Sequence, residues 1–221
     1  MSNIVISGAN RGIGLELTRH YLSAGHEVFA LCRQSSRELN ESGAVVIENI
    51  DVQDVNLAEH LGTSVLAGKP IDILINNAGI LQRTSLDNMD YDSMMQQFQV
   101  NALGPLRITQ ALRTQLGSGS KIALITSRMG SVTDNTSGGH YGYRMSKAAL
   151  NIAGVSLAHD LQSQGVAVVL LHPGYVQTAM VSYGGDISAT VAAERLARRI
   201  EELNLENSGS FWHSSGEPLP W

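Results

Sequence analysis

Apolar residues come in short runs separated by longer amphipathic stretches, and the two alternate along the chain. The first run, Ile4-Val5-Ile6 within 3–7, breaks at Gly8-Ala9-Asn10-Arg11-Gly12-Ile13-Gly14. A helical pattern follows, with Ile13, Leu15, Leu17, Tyr21 and Leu22 apolar, and closes near Gly25. Residues 27–31 form a second apolar run, so the chain opens with a βαβ unit. Further strands are expected at 44–47, 71–75, 121–126 and 166–171, and Phe211-Trp212 suits a last short one. Between them, helices are expected at 54–66 (Val55, Leu57, Leu61, Val65 and Leu66 apolar), 91–116, 141–163 and 188–203. Strands that read as unbroken apolar runs are buried on both faces, as in a parallel sheet covered by helices. The pattern predicts one doubly wound α/β domain of Rossmann type over 1–221. Its seven-stranded sheet is mostly or wholly parallel, with helices on both faces and no linker or repeat.

Composition narrows the classes. The chain has 221 residues, 43% hydrophobic and 16% charged, enough for a sizeable core. A formal net charge of -5 argues against a general nucleic-acid binder. The single cysteine, Cys32, excludes an internal disulfide, and no His, Cys, Asp and Glu set has metal-ligand spacing. The start shows no basic segment followed by a long apolar one, and no run reaches membrane-spanning length. A soluble, cytoplasmic protein is expected.

The chemistry begins at the glycine turn. Gly8-x-x-x-Gly12-x-Gly14 sits after a strand and before a helix. Glycines there allow a tight turn and let a phosphate approach backbone N–H groups at the helix N-terminus. An acid at the end of strand two would bind the adenine ribose hydroxyls of NAD. Here the strand ends Ala30-Leu31-Cys32-Arg33, with no acid, and Arg11 lies in the glycine turn. Two guanidinium groups converging there suit a 2′-phosphate, hence NADP(H). Asp51, followed by Val52, reads equally as an acceptor for an adenine amino group or as a cap for the helix expected near Asp54. Asn76-Asn77-Ala78-Gly79 puts amides and a glycine at the carboxyl end of strand four, where ligands bind in such sheets. Tyr143 and Lys147 are four residues apart on a helix and so share a face. An ammonium beside a phenol lowers the phenol pKa from about 10, which suits a general acid/base; the plain alternative is a half-buried tyrosine beside a solvated lysine.

In this order, the Gly8–Gly14 turn, Asn76–Gly79, Asn101, Ser127, Tyr143 with Lys147, and Pro173-Gly174 with Thr178 resemble the short-chain dehydrogenase/reductase family over nearly the whole length. The stretches 126–131, 138–147 and 216–221 further resemble its C-factor-like branch, related to carbonyl reductases. The resemblance implies that Tyr143 passes a proton to the carbonyl oxygen and that Lys147 lowers its pKa and bonds the nicotinamide ribose. Ser127 would hold the substrate oxygen, and Asn101 would hold a water in a relay through Lys147. It implies a cofactor site made of Gly8, Asn10, Arg11, Gly12, Ile13, Gly14, Arg33, Asp51, Val52, Asn77, Ala78, Gly79, Tyr143, Lys147, Pro173, Gly174, Val176 and Thr178.

Two departures stand out. Ser7 replaces a threonine and keeps the hydroxyl. Residues 179–187 are shorter than the helical lid of many relatives, which suggests an open pocket, a bulky substrate, or cover from a neighbouring subunit. Leu81, Arg128, Met129, His140, Tyr141 and Val176 surround the expected pocket; Arg128 reads an acidic substrate group or is a solvated loop residue. The implied function is NADP(H)-dependent hydride transfer between nicotinamide and a small-molecule carbonyl or alcohol. A sensor of NADP(H) with little turnover is the alternative. The family's usual contacts imply a homodimer or homotetramer through helices 91–116 and 141–163.

Overall fold

Seven strands lie side by side in the computed structural model, which describes residues 1–221. They are β1 (Asn3–Ser7), β2 (Glu27–Leu31), β3 (Val45–Ile47), β4 (Ile71–Asn76), β5 (Leu116–Ile125), β6 (Ala167–His172) and β7 (Ser210–His213). Their order is β3-β2-β1-β4-β5-β6-β7, and every neighbouring pair is parallel. Alternate side chains along each strand feed two separate cores. Val5, Phe29, Leu74, Ile122, Leu124, Val168 and Leu170 face one side; Ile4, Ile6, Ala30, Ile75, Ala123, Val169 and Leu171 face the other.

Two sets of helices cover these faces. On the second side lie α1 (Gly12–Ser23), the short α2 (Arg37–Asn40) and, after the rest of the sheet is built, the C-terminal helix. On the first side lie α3 (Leu57–Gly62), α4 (Tyr91–Phe98), α5 (Gly104–Leu112) and α6 (Tyr141–Gln162). The C-terminal helix is α7 (Ala189–Glu201), which packs on α1 through Ala193, Leu196, Ala197 and Ile200. Lys121 of β5 donates to the carbonyls of Ile200 and Glu201 at 3.0 and 2.8 Å, satisfying the end of α7.

The strand order reverses between β1 and β4. In a doubly wound sheet the crevice above the carboxyl ends at that point is where ligands bind. The Gly8–Gly14 turn leaves β1 there and Asn77-Ala78-Gly79 leaves β4 there.

Several boundaries differ from expectation. The helix expected at 54–66 is only α3, because Asp54 accepts from Asn56 N and holds a turn; Val55 and Val65, counted as helix positions, are exposed. Helix 91–116 stops at Leu112, after which a tight turn leads into β5 at Leu116 rather than 121. Residues 117–120 bulge out of β5 before pairing with β4 resumes at Lys121. Between α4 and α5 the helix widens into a five-residue π-helical segment, Gln99–Leu103.

Candidate active site

The glycine turn is built as much for packing as for a ligand. Gly8 (φ 66°) and Gly12 (φ 54°) occupy the left-handed region, where a side chain is strained. A Cβ on Gly14 would run into the Gly8 carbonyl oxygen and the Asn77 amide. Gly8 N donates to Leu31 O at 2.9 Å, and Asn10 Nδ2 donates to Gln34 O at 2.9 Å, tying the turn to the end of β2. The Ser7 hydroxyl accepts from Asn77 N and Ala78 N, both at 3.1 Å. Asn77 Nδ2 donates back to Ser7 O and Gly8 O at 3.0 and 3.1 Å. The hydroxyl shared by serine and threonine is thus what that position requires, and the Asn77 side chain is a clasp between two turns.

Helix α1 starts without a side-chain cap and without an acid in its first turn. Its first N–H groups are therefore free for an anion. Arg11 and Arg33 are both exposed, and neither forms an ion pair. Free N–H groups, two unpaired guanidinium groups and a turn in which glycine is required fit the phosphates of a dinucleotide. Glu48, which sequence reasoning missed, reaches the same edge from the end of β3 and accepts from Ser35 N at 2.6 Å; burial, and after it the Glu48 charge, pushes the Cys32 thiol up to about 11. Asp51 does not cap α3: it accepts from Gln53 N at 2.9 Å, and the helix starts only at Leu57. Val52 is buried against Gly104.

Four residues gather deeper in the crevice. Asn101 is fully buried in the π-helical segment. Its Oδ1 accepts from Ile80 N at 2.8 Å, while Nδ2 donates to Ile80 O at 2.8 Å and to Ser146 Oγ at 3.0 Å. Ser146 in turn donates to Tyr143 O at 2.8 Å. This chain of bonds fixes the Tyr143 turn of α6 against the segment after β4. Gly79 lies beside it: a Cβ there would sit 3.3 Å from Asn101 Oδ1 and 3.7 Å from Lys147 Nζ. Ser127, at the end of β5, accepts from Met129 N at 3.1 Å.

The electrostatics of Tyr143 and Lys147 depart from the expected pairing. Lys147 is 4% exposed; its Nζ donates to Ile125 O at 2.8 Å and lies 5.8 Å from the Tyr143 ring centre. Burial pulls its pKa down to about 7. Tyr143 is pushed up to about 12 by burial, with the Ser127 hydroxyl drawing it partly back. In the protein alone, desolvation outweighs any help the lysine gives the phenol, and the lysine is the group that titrates near neutrality.

The strand β6 contributes the far wall. Val176 is buried and bridges Ile187; Gln177 N donates to Ile187 O at 2.9 Å and Asp186 N to Tyr175 O at 2.7 Å. Residues 175–187 thus close on themselves as a short loop after Pro173-Gly174. Thr178 faces the glycine turn, its methyl 3.3 Å from where a Gly12 Cβ would be. Beneath, His172 stacks edge-on His213 with ring centres 5.0 Å apart. Burial, then His213, Arg128 and Lys147, hold its pKa at about 3.

Arg144 is the anchor that sequence reasoning missed. It donates to Gly138 O and Gly139 O, both at 3.2 Å, to Ser137 Oγ at 2.9 Å and to Met129 O at 3.4 Å, pinning the loop between β5 and α6. Thr133 N of the same loop donates to Trp221 O at 3.0 Å, so the last residue braces it. Arg128 pairs with Asp134 at 3.0 Å on the loop surface.

Known proteins resemble the chain in sequence and fold. The chain is 38% identical to the 1-hydroxy-2-glutathionyl-2-methyl-3-butene dehydrogenase of Rhodococcus sp. (strain AD45), over 100% of both chains. It is 46% identical to the C-signal protein of Myxococcus xanthus, over 72% of this chain and 97% of that one. The crystal structure of NADPH-bound carbonyl reductase from chicken fatty liver superposes with a TM-score of 0.89 at 28% identity, covering 100% of this chain and 99% of the other. With residues 2–186 matching the family of short chain dehydrogenases, the chain belongs to that family.

Proposed function

We propose that the protein is an NADP(H)-dependent oxidoreductase that interconverts a carbonyl and an alcohol, running as a carbonyl reductase. The observation that carries this reading is Asn101 and Lys147 flanking Gly79, with the Ser127 hydroxyl against Tyr143, at the strand ends where the glycine turn offers free N–H groups. The carbonyl reductase that superposes on the chain holds NADPH, and the Rhodococcus relative is named for an alcohol beside a glutathionyl group. When bound, the cofactor supplies the hydride.

The chain's own residues supply position and proton. The first N–H groups of α1 with Arg11 hold phosphate, and Arg33 selects the 2′-phosphate. Asn10, Ile13, Ala78, Pro173, Gly174, Val176 and Thr178 shape the channel, and Asp51 with Val52 borders the adenine end. The Ser127 hydroxyl donates to the carbonyl oxygen as charge develops there. Tyr143 Oη delivers the proton to that oxygen. Lys147, poised to gain or lose a proton near neutrality, stabilises the phenolate left behind and relays a proton to it from a water held by Asn101.

Exposed Tyr91 and Met95 on α4, with Met145 and Ile152 on α6, support a homodimer or homotetramer through these helices. Residues 179–187 act as a short substrate lid on a single domain of 221 residues. No helix is long and apolar enough to cross a membrane; a cytoplasmic place suits the one unpaired cysteine.

The test is NADPH consumption over a panel of ketones and aldehydes, with NADPH and NADH titrated in parallel. NADPH-dependent reduction is expected. Arg33→Ala is expected to weaken NADPH binding about tenfold to a hundredfold, the worth of a charge-assisted hydrogen bond, while leaving NADH unaffected. Tight NADPH binding without turnover of any carbonyl contradicts the reading and favours a sensor.

A further inference from the structure

A polar cleft of about 460 Å³ opens between the segment after β4 and the loop before α6, and no apolar side chain lines it. Its walls adjoin, along the chain, the segments that carry the reacting centre. His140, on one wall, immediately precedes α6 and stands three residues before Tyr143. Arg83, on the other, follows Ile80, whose backbone Asn101 holds. An ordinary carbonyl pocket is mostly lined by apolar residues, so a cleft lined by none needs a separate explanation.

The charges in the cleft are of one sign. Arg83 is exposed and forms no ion pair. Arg144 lies behind the glycine wall, bonded to Gly138 O and Gly139 O. Both guanidinium groups, after burial, hold the His140 ring below its ordinary pKa. No carboxylate lines the cleft, although the chain carries a net charge of -5. Of the acids on the flanking segments, Asp90 accepts from Ser93 N at the start of α4 and Asp134 pairs with Arg128, while Asp87 sits in the exposed Ser85–Asn88 turn without lining the cleft. His140 Nδ1 is buried without a partner. Its backbone is fixed in the left-handed region (φ 50°), with N donating to Thr84 O at 2.7 Å. Asn88 and Ser85 exchange backbone bonds at 3.1 and 3.3 Å, holding the opposite wall in a tight turn. The walls are therefore fixed before any ligand arrives, and an unpaired guanidinium and an amide line the space between them.

We infer that this cleft binds the acidic, peptide-like arm of a bulky carbonyl or alcohol substrate, of which an S-glutathionyl group is the type, with Arg83 taking a carboxylate of that arm. This rests on the oxidoreductase reading and extends it from the reacting carbon to the substrate's distal end. It also accounts for the short lid: a substrate held at its far end needs no long helix folded over it.

The experiment compares two ketones with the same reacting group, the glutathione adduct and the ethanethiol adduct of methyl vinyl ketone, each reduced with NADPH. S-methylglutathione binding to the NADP+-loaded protein is measured by calorimetry alongside. Arg83→Ala is expected to lower kcat/KM for the glutathione adduct, and the affinity for S-methylglutathione, about tenfold to a hundredfold, the worth of one charge-assisted hydrogen bond. The ethanethiol adduct is expected to be unaffected. Arg113→Ala, removing the same charge at the far end of the sheet, is expected to change neither. Equal loss on both ketones, or no loss in either assay, overturns the subsite while leaving the reductase reading intact. Binding of S-methylglutathione that depends on Arg83, without reduction of either ketone, keeps the subsite and overturns the reductase reading.

Discussion

Replacing Lys147 with methionine, close in length and without charge, isolates the burial of one ammonium group. In the native protein without cofactor that group has its pKa pulled down to about 7, whereas the unfolded chain keeps a lysine at about 10.4. Between those values the unfolded state holds a proton the native state has released. Stability therefore rises with pH across the window from about 7 to about 10. Integrating about 1.36 kcal/mol per pH unit from about pH 7 to about pH 9, with the native lysine half-protonated at the start, gives about 2 kcal/mol. Tyr143, pushed up to about 12, works with the opposite sign only above about pH 10, where an unfolded tyrosine ionises, and leaves this window alone. The assay is urea unfolding of the cofactor-free parent and the Lys147→Met variant at both pH values. Groups common to both proteins cancel in the difference of differences. The parent is expected to gain about 2 kcal/mol more than the variant, a Tm difference of about 4–8 °C at this chain length. Parallel changes in the two proteins refute the assigned cause, and the neutral-pH titration of Lys147 with it.

Two further substitutions probe the supports of the site. Asn101→Ala leaves the half-buried Ile80 N and O without their partner, at a cost of up to about 1–3 kcal/mol for each group; a urea midpoint unchanged from the parent contradicts this. Gly130→Ala sets a Cβ 2.7 Å from the Lys147 carbonyl carbon. Backbone against backbone cannot yield cheaply, so about 1–3 kcal/mol of stability is lost and turnover falls as the Ser127 loop shifts from α6; a variant with parental stability and rate shows the contact to be idle.

The parts of the fold legible in the sequence are those set by local pattern. Ile4-Val5-Ile6 and Val168–Leu171 read as two-sided strands because both cores claim alternate residues of each. The glycine turn and the Tyr143–Lys147 spacing need only short stretches of chain. What escaped depends on distant partners. The π-helical widening is seated by Asn101 bonding Ile80, 21 residues away. The role of Arg144 appears only once the loop folds back over it, and the brace from Trp221 to Thr133 joins residues with no sequence signal between them. Val55 and Val65 fit the period of a helix over 54–66, while Asp54 and its side-chain turn decide otherwise. Tyr143 and Lys147 lie together on α6 as their spacing requires, but their electrostatics follow burial, which no spacing reveals.

Tyr143→Phe tests the central claim most directly, since it removes one oxygen from a buried ring and leaves α6 and the Ser146–Asn101 bonds in place. NADPH affinity and the rate of carbonyl reduction are measured on the same preparation. The account predicts parental NADPH affinity with reduction slowed about 100-fold to 10,000-fold, the worth of a positioned general acid. A variant that reduces carbonyls at the parental rate contradicts it.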